Sequence, residues 1–325
     1  MSRALLAIAL SCAASVAGTQ AVPRMPRVGV LYMDSESQSE GPMGGFEKGM
    51  RDLGYVPGRN VVIEWRYAEG HPDRLPVLAA GLVAEKVDVI VTGGPGPLAA
   101  VRQVTTKIPI VTISGSDPVA EGWAATLARP GGNVTGLAVT FPELEQKRLE
   151  LLKEVLPGIS RVGLVIAPFE LRSGRSEMSE QTAAAAKRLG LQMEVVPVRD
   201  VADLNGIGRV VRQARLQALV TVETTFVVAN RTRIAEQAEL QGIPVTGEFT
   251  IFGADEVLFA YGASLSDLLR RSATHVDRIL RGARAGDLPI ERPTKLDLTV
   301  NRKVARRLGI TFPPSILLRA DRVVE

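Results

Sequence analysis

The segment IVTISGSDPVAEG, residues 110–122, passes from a hydrophobic run into two hydroxyls and a carboxylate. Ser114, Ser116 and Asp117 are all able to hydrogen-bond to a bound solute. Because Asp117 precedes Pro118, it can also cap a short helix, predicted over residues 118–123. The two roles are compatible, since a helix N-terminus beside a crevice attracts an anionic ligand group. We expect this loop to contact a ligand.

A second loop, GGPGP at residues 93–97, follows another hydrophobic run. The pattern Gly-x-Gly-x-x-Ala over residues 94–99 has the spacing of a dinucleotide-binding fingerprint. However, Pro95 and Pro97 remove two backbone N–H groups from a loop that would have to hold a pyrophosphate. We therefore interpret the loop as a helix cap, with Thr92, Gly94 and Pro95 beside a small ligand, and predict no cofactor.

Two more carboxylates, Glu223 and Glu248, follow the hydrophobic runs 218–222 and 244–246. A pair of carboxylates at the ends of neighbouring strands can carry out acid–base chemistry. It can equally accept hydrogen bonds from a ligand's ammonium or hydroxyl groups. We favour the binding role, because the sequence offers no partner for catalysis.

Catalytic and metal sites lack the residues they need. His71 and His275 are the two histidines of the chain, and neither Gly-x-Ser-x-Gly nor His-Glu-x-x-His occurs. The single cysteine, Cys12, lies in the N-terminal segment discussed below. We predict no catalytic residue and no metal site.

The elements that must position these loops alternate regularly. Strands are predicted at residues 27–32, 60–67, 87–92 and 108–114, with helices between them, and the alternation restarts with strands at 161–166, 192–197, 218–222 and 244–246. Strands hydrophobic on both faces and separated by helices form parallel sheets covered on both sides. Both series open with Arg-Val-Gly, at Arg27 and Arg161. The sequence thus predicts an α/β fold of two Rossmann-like lobes, whose strand ends face a shared crevice.

The first 21 residues have the features of a secretory signal: Arg3, then an apolar run, then small residues before Ala21. This predicts export to the periplasm, with the mature chain starting near Val22 and containing no thiol. A lipid anchor on Cys12 is disfavoured, because Ala-Leu-Ser before it matches a lipoprotein cleavage site poorly. The net charge of +4 gives no nucleic-acid footprint, and the basic clusters fall on helix-like segments as solvated faces.

Four blocks resemble one family: residues 46–70, 116–137, 143–158 and 268–325. They are similar to the periplasmic substrate-binding proteins of ABC transporters, in the group of tryptophan- and tyrosine-type receptors with the type I periplasmic-binding fold. The resemblance implies a monomer that captures a small solute between two lobes and delivers it to a membrane permease driven by an ATPase. At residues 94–97 the chain has Gly-Pro-Gly-Pro, where amino-acid binders of the group typically carry Thr-Pro-Ala-like residues.

The resemblance also extends the candidate site. It adds Asp34, Ser35 and Ser37 to the loops above, and implies lobes of residues 27–141 plus about 258–286, and 142–257 plus about 287–325. Hinge crossings are expected near residues 140–142, 253–257 and 286–289. Two other functions remain open: a nucleotide-dependent α/β enzyme using residues 94–99, and a ligand-sensing accessory protein without transport. A transcription regulator of this fold is disfavoured, because a signal segment stands where its DNA-binding headpiece would be.

Overall fold

The computed structural model describes residues 24–115, 117–139, 142–167, 177–222, 224–248 and 257–325. The strands are β1 (Arg27–Tyr32), β2 (Val62–Tyr67), β3 (Val89–Gly93), β4 (Ile110–Ser114), β5 (Val134–Ala138), β6 (Arg161–Ile166), β7 (Gln192–Pro197), β8 (Ala218–Thr221), β9 (Val245–Gly247), β10 (Phe259–Gly262), β11 (Asp297–Asn301) and β12 (Arg322–Val324). The helices are α1 (Glu36–Asp52), α2 (Leu75–Ala84), α3 (Pro95–Val104), α4 (Pro142–Val155), α5 (Glu177–Arg188), α6 (Val201–Leu204), α7 (Ile207–Ala214), α8 (Thr225–Ala229), α9 (Arg231–Glu239), α10 (Leu265–Leu280), α11 (Arg302–Arg307) and α12 (Pro314–Arg319).

The first sheet has the order β2-β1-β3-β4-β5, and its strands all pair in parallel. Strands β3, β4 and β5 are buried along their whole length. Helix α1 packs against α10, and α2 packs against α3. Right-handed crossovers place the helix after β1 and the helix after β2 on opposite faces of the sheet. Helices therefore cover both faces, which explains why β3, β4 and β5 are hydrophobic on both sides.

The second sheet has the order β12-β11-β10-β9-β8-β6-β7. From β7 to β10 the strands are parallel and repeat the strand order of the first sheet. Strand β11 pairs antiparallel with β10, and β12 pairs in parallel with β11. The predicted class is confirmed: two α/β units with mainly parallel sheets.

The lobe boundaries differ from the prediction. Strand β10 pairs in the second sheet, whereas α10 packs against α1 of the first lobe, so the chain returns to the first lobe near residue 263 and not near 258. Leu288 and Glu291 still belong to the first lobe: Thr135 Oγ1 donates to the Leu288 carbonyl at 2.9 Å, and the Glu291 N–H donates to the Gly136 carbonyl at 2.9 Å. The last crossing therefore follows residue 291, and residues 286–289 do not form it.

The return to the first lobe follows β10, so it does not lie at the predicted residues 253–257, of which 253–256 are outside the described part of the chain. Of the first predicted crossing, residues 140 and 141 are also outside the described part.

Helices α1 and α10 approach closely because glycines line their contact. A Cβ atom on Gly45 would lie 2.2 Å from the Ser266 carbonyl oxygen, and one on Gly49 would lie 2.3 Å from that of Arg270. Any larger residue would hold the helices apart. Gly and Pro in the first half of α1 disfavour a helix locally, but packing of α1 against α10 supports the full helix, which begins at Glu36.

Candidate functional site

In an open α/β sheet, ligands bind outside the carboxyl ends of the strands, where the strand order reverses. In the first sheet this switch point lies between β1 and β3, and in the second between β6 and β8. The residues that follow are Met33 and Asp34 after β1, Gly94 after β3, and Val222 after β8. The fold therefore brings the predicted first-lobe loops together at one edge of the first sheet.

At the end of β1, Asp34 is 1% exposed and Ser35 is half-buried. Burial, and then the charge of Asp34, raises the pKa of Tyr32, so this phenol stays neutral at physiological pH. The Tyr32 ring lies over β3, where a Cβ atom on Gly93 would be 2.5 Å from it. The glycine is thus required for the ring of Tyr32 to cross the strand end.

Thr92 lies behind the strand end and not at it. Its Oγ1 donates to Thr112 Oγ1 at 3.0 Å, and both residues are fully buried. Because strand side chains alternate, Thr92 shares a face with Ile90, which packs in the cluster under α2 and α3. The Thr92 hydroxyl therefore faces the helix layer.

The loop at residues 94–97 forms the start of α3. Gly94 is its N-cap with φ 79°, a left-handed conformation that favours glycine, and no side chain caps this helix end. Gly94 is half-buried, whereas Pro95 is buried. Of the first three helical residues, only Gly96 has an N–H group, because Pro95 and Pro97 have none. This helix end offers one amide to an anion, which suits a small ligand better than a pyrophosphate.

After β4, Ser114 is fully buried and Asp117 is exposed. Asp117 Oδ1 accepts hydrogen bonds from the N–H groups of Val119 at 2.8 Å and Ala120 at 3.1 Å. The capping role is therefore present, but it closes a turn: residues 118–122 form turns, and the predicted helix over 118–123 is absent. The second carboxylate oxygen of Asp117 takes no part in these two bonds.

On the second lobe, Glu248 follows β9 and is 1% exposed. Its Oε2 lies 3.3 Å from Nη1 of Arg148, which also pairs with Glu145. Thr182 Oγ1 donates to the second oxygen of Glu145 at 3.1 Å. Arg148 and Glu145 are as deeply buried as Glu248, so Glu248 faces a buried ionic cluster under α4 and α5.

This ionic cluster was not found from the sequence. Glu145 and Arg148 stand three residues apart on a helix, which is the pattern of an ordinary solvent-exposed ion pair. Only the tertiary packing of α4, which contacts α5 and β10, reveals that both are buried. Three predicted site features, namely residues Ser116 and Glu223 and the side chain of Ser37, lie outside the described part of the structure.

The two lobes touch on the side where α2 and α3 lie. Helix α3 contacts α8, and Ala229 of α8 belongs to the same buried apolar cluster as Leu98 and Leu75 of the first lobe. A Cβ atom on Gly70 would lie 4.0 Å from Asn230 Nδ2 of the second lobe. The candidate cleft is thus closed by contacts between the lobes on this side.

Other titratable residues do not extend the site. His275 is buried in α10, where its Nε2 lies 3.2 Å from the Pro289 carbonyl oxygen. Over the ranges the structure describes, no group of three or more His, Cys, Asp or Glu residues could hold a metal ion. No helix in these ranges has the length and apolar character needed to cross a bilayer.

Three similarities bear on this architecture. A crystal structure of a conserved domain protein from Vibrio cholerae O1 biovar El Tor has a TM-score of 0.83 at 25% identity, covering 92% of this chain and 100% of that one. An ABC domain in complex with L-Trp from Streptococcus pneumonia has a TM-score of 0.80 at 23% identity, covering 91% and 100%. A tyrosine-binding protein of Clostridioides difficile is 21% identical over 288 residues, 88% of this chain and 82% of that protein.

The fold is the type I periplasmic-binding fold, in agreement with the prediction. The sequence profile described as ABC transporter substrate binding protein matches residues 27–324, which include both sheets and the strand ends between them. This chain therefore belongs to the ABC transporter substrate-binding protein family.

Proposed function

We propose that this chain is the solute receptor of an ABC import system, which acts in the periplasm and hands its solute to a membrane permease. The observation that carries the proposal is the repeated strand order. Two sheets with the same order each have a switch point at the carboxyl ends of their strands. Such paired sites suit a ligand held between two lobes.

We assign direct contact with the ligand to those candidate residues in the cleft that are accessible to solvent. Ser35 and Gly94 are half-buried, and Asp117 is exposed with one carboxylate oxygen outside its capping bonds. Asp34 and Ser114 lie just behind them and support the same strand ends. Hydroxyls and a carboxylate suit the carboxylate and ammonium groups of an amino acid or a related compound, the class to which L-Trp and tyrosine of the relatives belong.

The mechanism is a shift in population between open and closed lobes. A ligand that contacts both lobes does so only in the closed state, and it stabilises that state by the difference in contacts. The contact between α3 and α8 and the close approach of Gly70 to Asn230 are interactions of the protein itself that stabilise the closed state without ligand. Hinge closure of this kind requires chain crossings that can bend.

A thermal-shift screen of the mature chain, from Val22 onward, tests the proposal. The panel holds the twenty L-amino acids, nucleosides, sugars, polyols, short organic acids and NAD(P). A shift of several degrees with one small solute at concentrations far above its dissociation constant supports a solute receptor. A shift with NAD(P) alone would instead indicate a nucleotide-dependent enzyme, and would overturn the proposal.

Two substitutions of Asp117 separate ligand binding from capping. Asp117→Asn keeps an oxygen that can accept the two turn hydrogen bonds but removes the charge, whereas Asp117→Ala removes both. If the carboxylate holds a ligand ammonium, both variants lose at least about tenfold in affinity. If Asp117 is only a cap, Asp117→Asn binds like the wild type and Asp117→Ala is merely less stable.

A further inference from the structure

A pocket of about 390 Å³ opens on the second lobe, between α7 and the end of α9. Pockets of about 300–1,000 Å³ hold small ligands in proteins, so this one has room for a compact molecule. The lining that the structure describes contains no residue from the candidate loops of the cleft. It includes two glycines, two arginines and two glutamines: Gly206, Gly208, Arg209, Arg212, Gln237 and Gln241.

The hydrogen-bond donors of the pocket gather over its two glycines. A Cβ atom on Gly206 would lie 3.5 Å from Arg209 Nη2, and one on Gly208 would lie 3.5 Å from Arg212 Nη1 and 2.8 Å from Gln241 Nε2. Because neither glycine has a side chain, the two guanidinium groups and the amide can approach the backbone here. The pocket therefore presents three N–H-bearing groups around the same two backbone positions.

The two arginines of the pocket differ from many others in the chain, because neither has an acidic partner. Arg281, for example, pairs with Asp277 at 2.7 Å. Arg212 Nη1 instead donates to a neutral atom, Oε1 of Gln241, at 2.7 Å. Arg209 forms no hydrogen bond or ion pair with any residue that the structure describes. Both guanidinium groups thus keep donors and positive charge available to a ligand.

An acidic residue, Asp203, also lines the pocket, but its charge is already paired. Arg199 donates to both of its carboxylate oxygens, from Nε at 2.9 Å and from Nη2 at 3.3 Å. These hydrogen bonds and the adjacent positive charge lower the pKa of the Asp203 carboxyl. Asp203 is therefore held as an ion pair with Arg199, and the charge of Arg209 and Arg212 remains in excess.

The placement of the two arginines is unfavourable in the free protein. Arg209 lies in the first turn of α7, which has no acidic residue, and the N-terminus of a helix disfavours positive charge. Arg212 follows three residues later, so the two side chains are neighbours on the helix surface, where like charges repel. An anion bound between them would remove the repulsion and would place negative charge near the helix N-terminus, where it is favoured.

We propose that this pocket binds a phosphate group, either as free phosphate or in the headgroup of an anionic phospholipid. One guanidinium fork satisfies the two oxygens of a carboxylate by itself, whereas phosphate offers further acceptor oxygens to a second fork and to an amide. Arginine suits phosphate because its planar set of donors matches the phosphate oxygens. The inference does not depend on the proposed solute, since the pocket lies outside the candidate loops of the cleft.

The test compares Arg209→Gln with Arg215→Gln in the mature chain. Arg215 is the matched control: it is also exposed, follows the last residue of the same helix, forms no hydrogen bond or ion pair with the described residues, and does not line the pocket. One arm titrates inorganic phosphate and measures the melting temperature, with sodium chloride at equal ionic strength as the reference. The other arm measures co-sedimentation with vesicles of phosphatidylcholine, alone or mixed with an equal part of phosphatidylglycerol.

For free phosphate, we expect a saturable rise in the melting temperature of the wild type and of Arg215→Gln, with a half-maximal concentration at least about tenfold higher for Arg209→Gln. For a lipid headgroup, the same difference should appear with the phosphatidylglycerol vesicles, while free phosphate gives no saturable rise. Phosphate also stabilises proteins through exclusion from their surface, so only the difference between the two variants supports the site. Equal behaviour of Arg209→Gln and Arg215→Gln in both arms overturns the proposal, as does a wild type that responds to neither probe.

Discussion

The contact between α1 and α10 gives a sharp test of how the first lobe is built. Gly44 and Gly45 are neighbours in α1, but a Cβ atom on Gly44 would meet nothing within 4 Å, whereas one on Gly45 would lie 2.2 Å from the Ser266 carbonyl oxygen and 2.7 Å from its Oγ. Replacing each glycine by alanine therefore adds the same methyl group in two different surroundings.

The expected changes have opposite signs. In a helix interior, alanine is more favourable than glycine by about 0.5–1 kcal/mol, so Gly44→Ala should raise the free energy of unfolding by about that amount. Gly45→Ala gains the same free energy from helix propensity, but α1 and α10 must separate by about 1 Å to bring its Cβ atom to an ordinary contact distance from Ser266. Overpacking of this kind costs about 1–3 kcal/mol, and a backbone oxygen cannot rotate away as a side chain can. For a clash with backbone we therefore take the upper end of this cost, about 3 kcal/mol, and after subtracting the helix-propensity gain we expect a net loss of about 2 kcal/mol.

Urea unfolding followed by tryptophan fluorescence measures this difference directly. Both tryptophans, Trp65 and Trp123, lie in the first lobe, and the Trp65 ring lies 6.2 Å from that of Phe46 on α1. The two variants should differ by about 3 kcal/mol in unfolding free energy at an unchanged m-value. If Gly45→Ala is as stable as Gly44→Ala, the close approach of α1 and α10 is not a feature of the folded protein.

Three more perturbations follow from the buried groups. Arg148→Met should lower stability by about 3–5 kcal/mol, because it removes the guanidinium that faces two buried carboxylates. Adding Glu145→Gln and Glu248→Gln should restore most of the loss. Urea unfolding followed by circular dichroism measures both variants, and an Arg148→Met variant as stable as the wild type would contradict the buried cluster. Burial lowers the pKa of His275, so the folded state disfavours its charged form. The contribution of neutral His275 to stability is complete above the unfolded-state pKa of about 6.5, and it is lost as the pH falls through the lowered pKa of the folded state. The melting temperature of His275→Gln should therefore fall less between pH 7.5 and 5 than that of the wild type. Parallel plots of melting temperature against pH for the two proteins would refute this prediction. Gly93→Ala places a methyl group 2.5 Å from the ring of Tyr32. It should weaken binding of the panel compound with the largest thermal shift at least about tenfold, as measured by a thermal-shift titration. Unchanged binding would show that the Tyr32 ring is free to move.

Much of the architecture could be predicted because the cause is local. Strands such as β3 and β4 are hydrophobic along their whole length, and such runs between helices specify a parallel sheet wherever they occur. Elements with weak local signals were missed. Strand β5, VTGLA, contains Gly136 at φ 139°, and it is held by its pairing with β4. Helix α8 has five residues, too few for a periodic pattern.

Lobe membership could not be predicted from the pattern of hydrophobic residues. Strand β10 has the composition of a buried strand in either sheet, and the pairing with β9 and β11 decides that it belongs to the second. The same limit applies to the lobe boundary, which moved from residue 258 to about 263 for this reason.

For the candidate site, the loops that stand at strand ends could be predicted, since hydroxyls and carboxylates that directly follow buried strands mark those ends. The direction of each side chain depends on tertiary packing. Thr92 donates to Thr112, Asp117 accepts the hydrogen bonds of a turn, and Glu248 pairs with Arg148. Chain order fixes a residue's place along a strand, but the direction of its side chain and the charge that faces it depend on helices packed from elsewhere in the sequence. These long-range contacts leave no trace in local spacing.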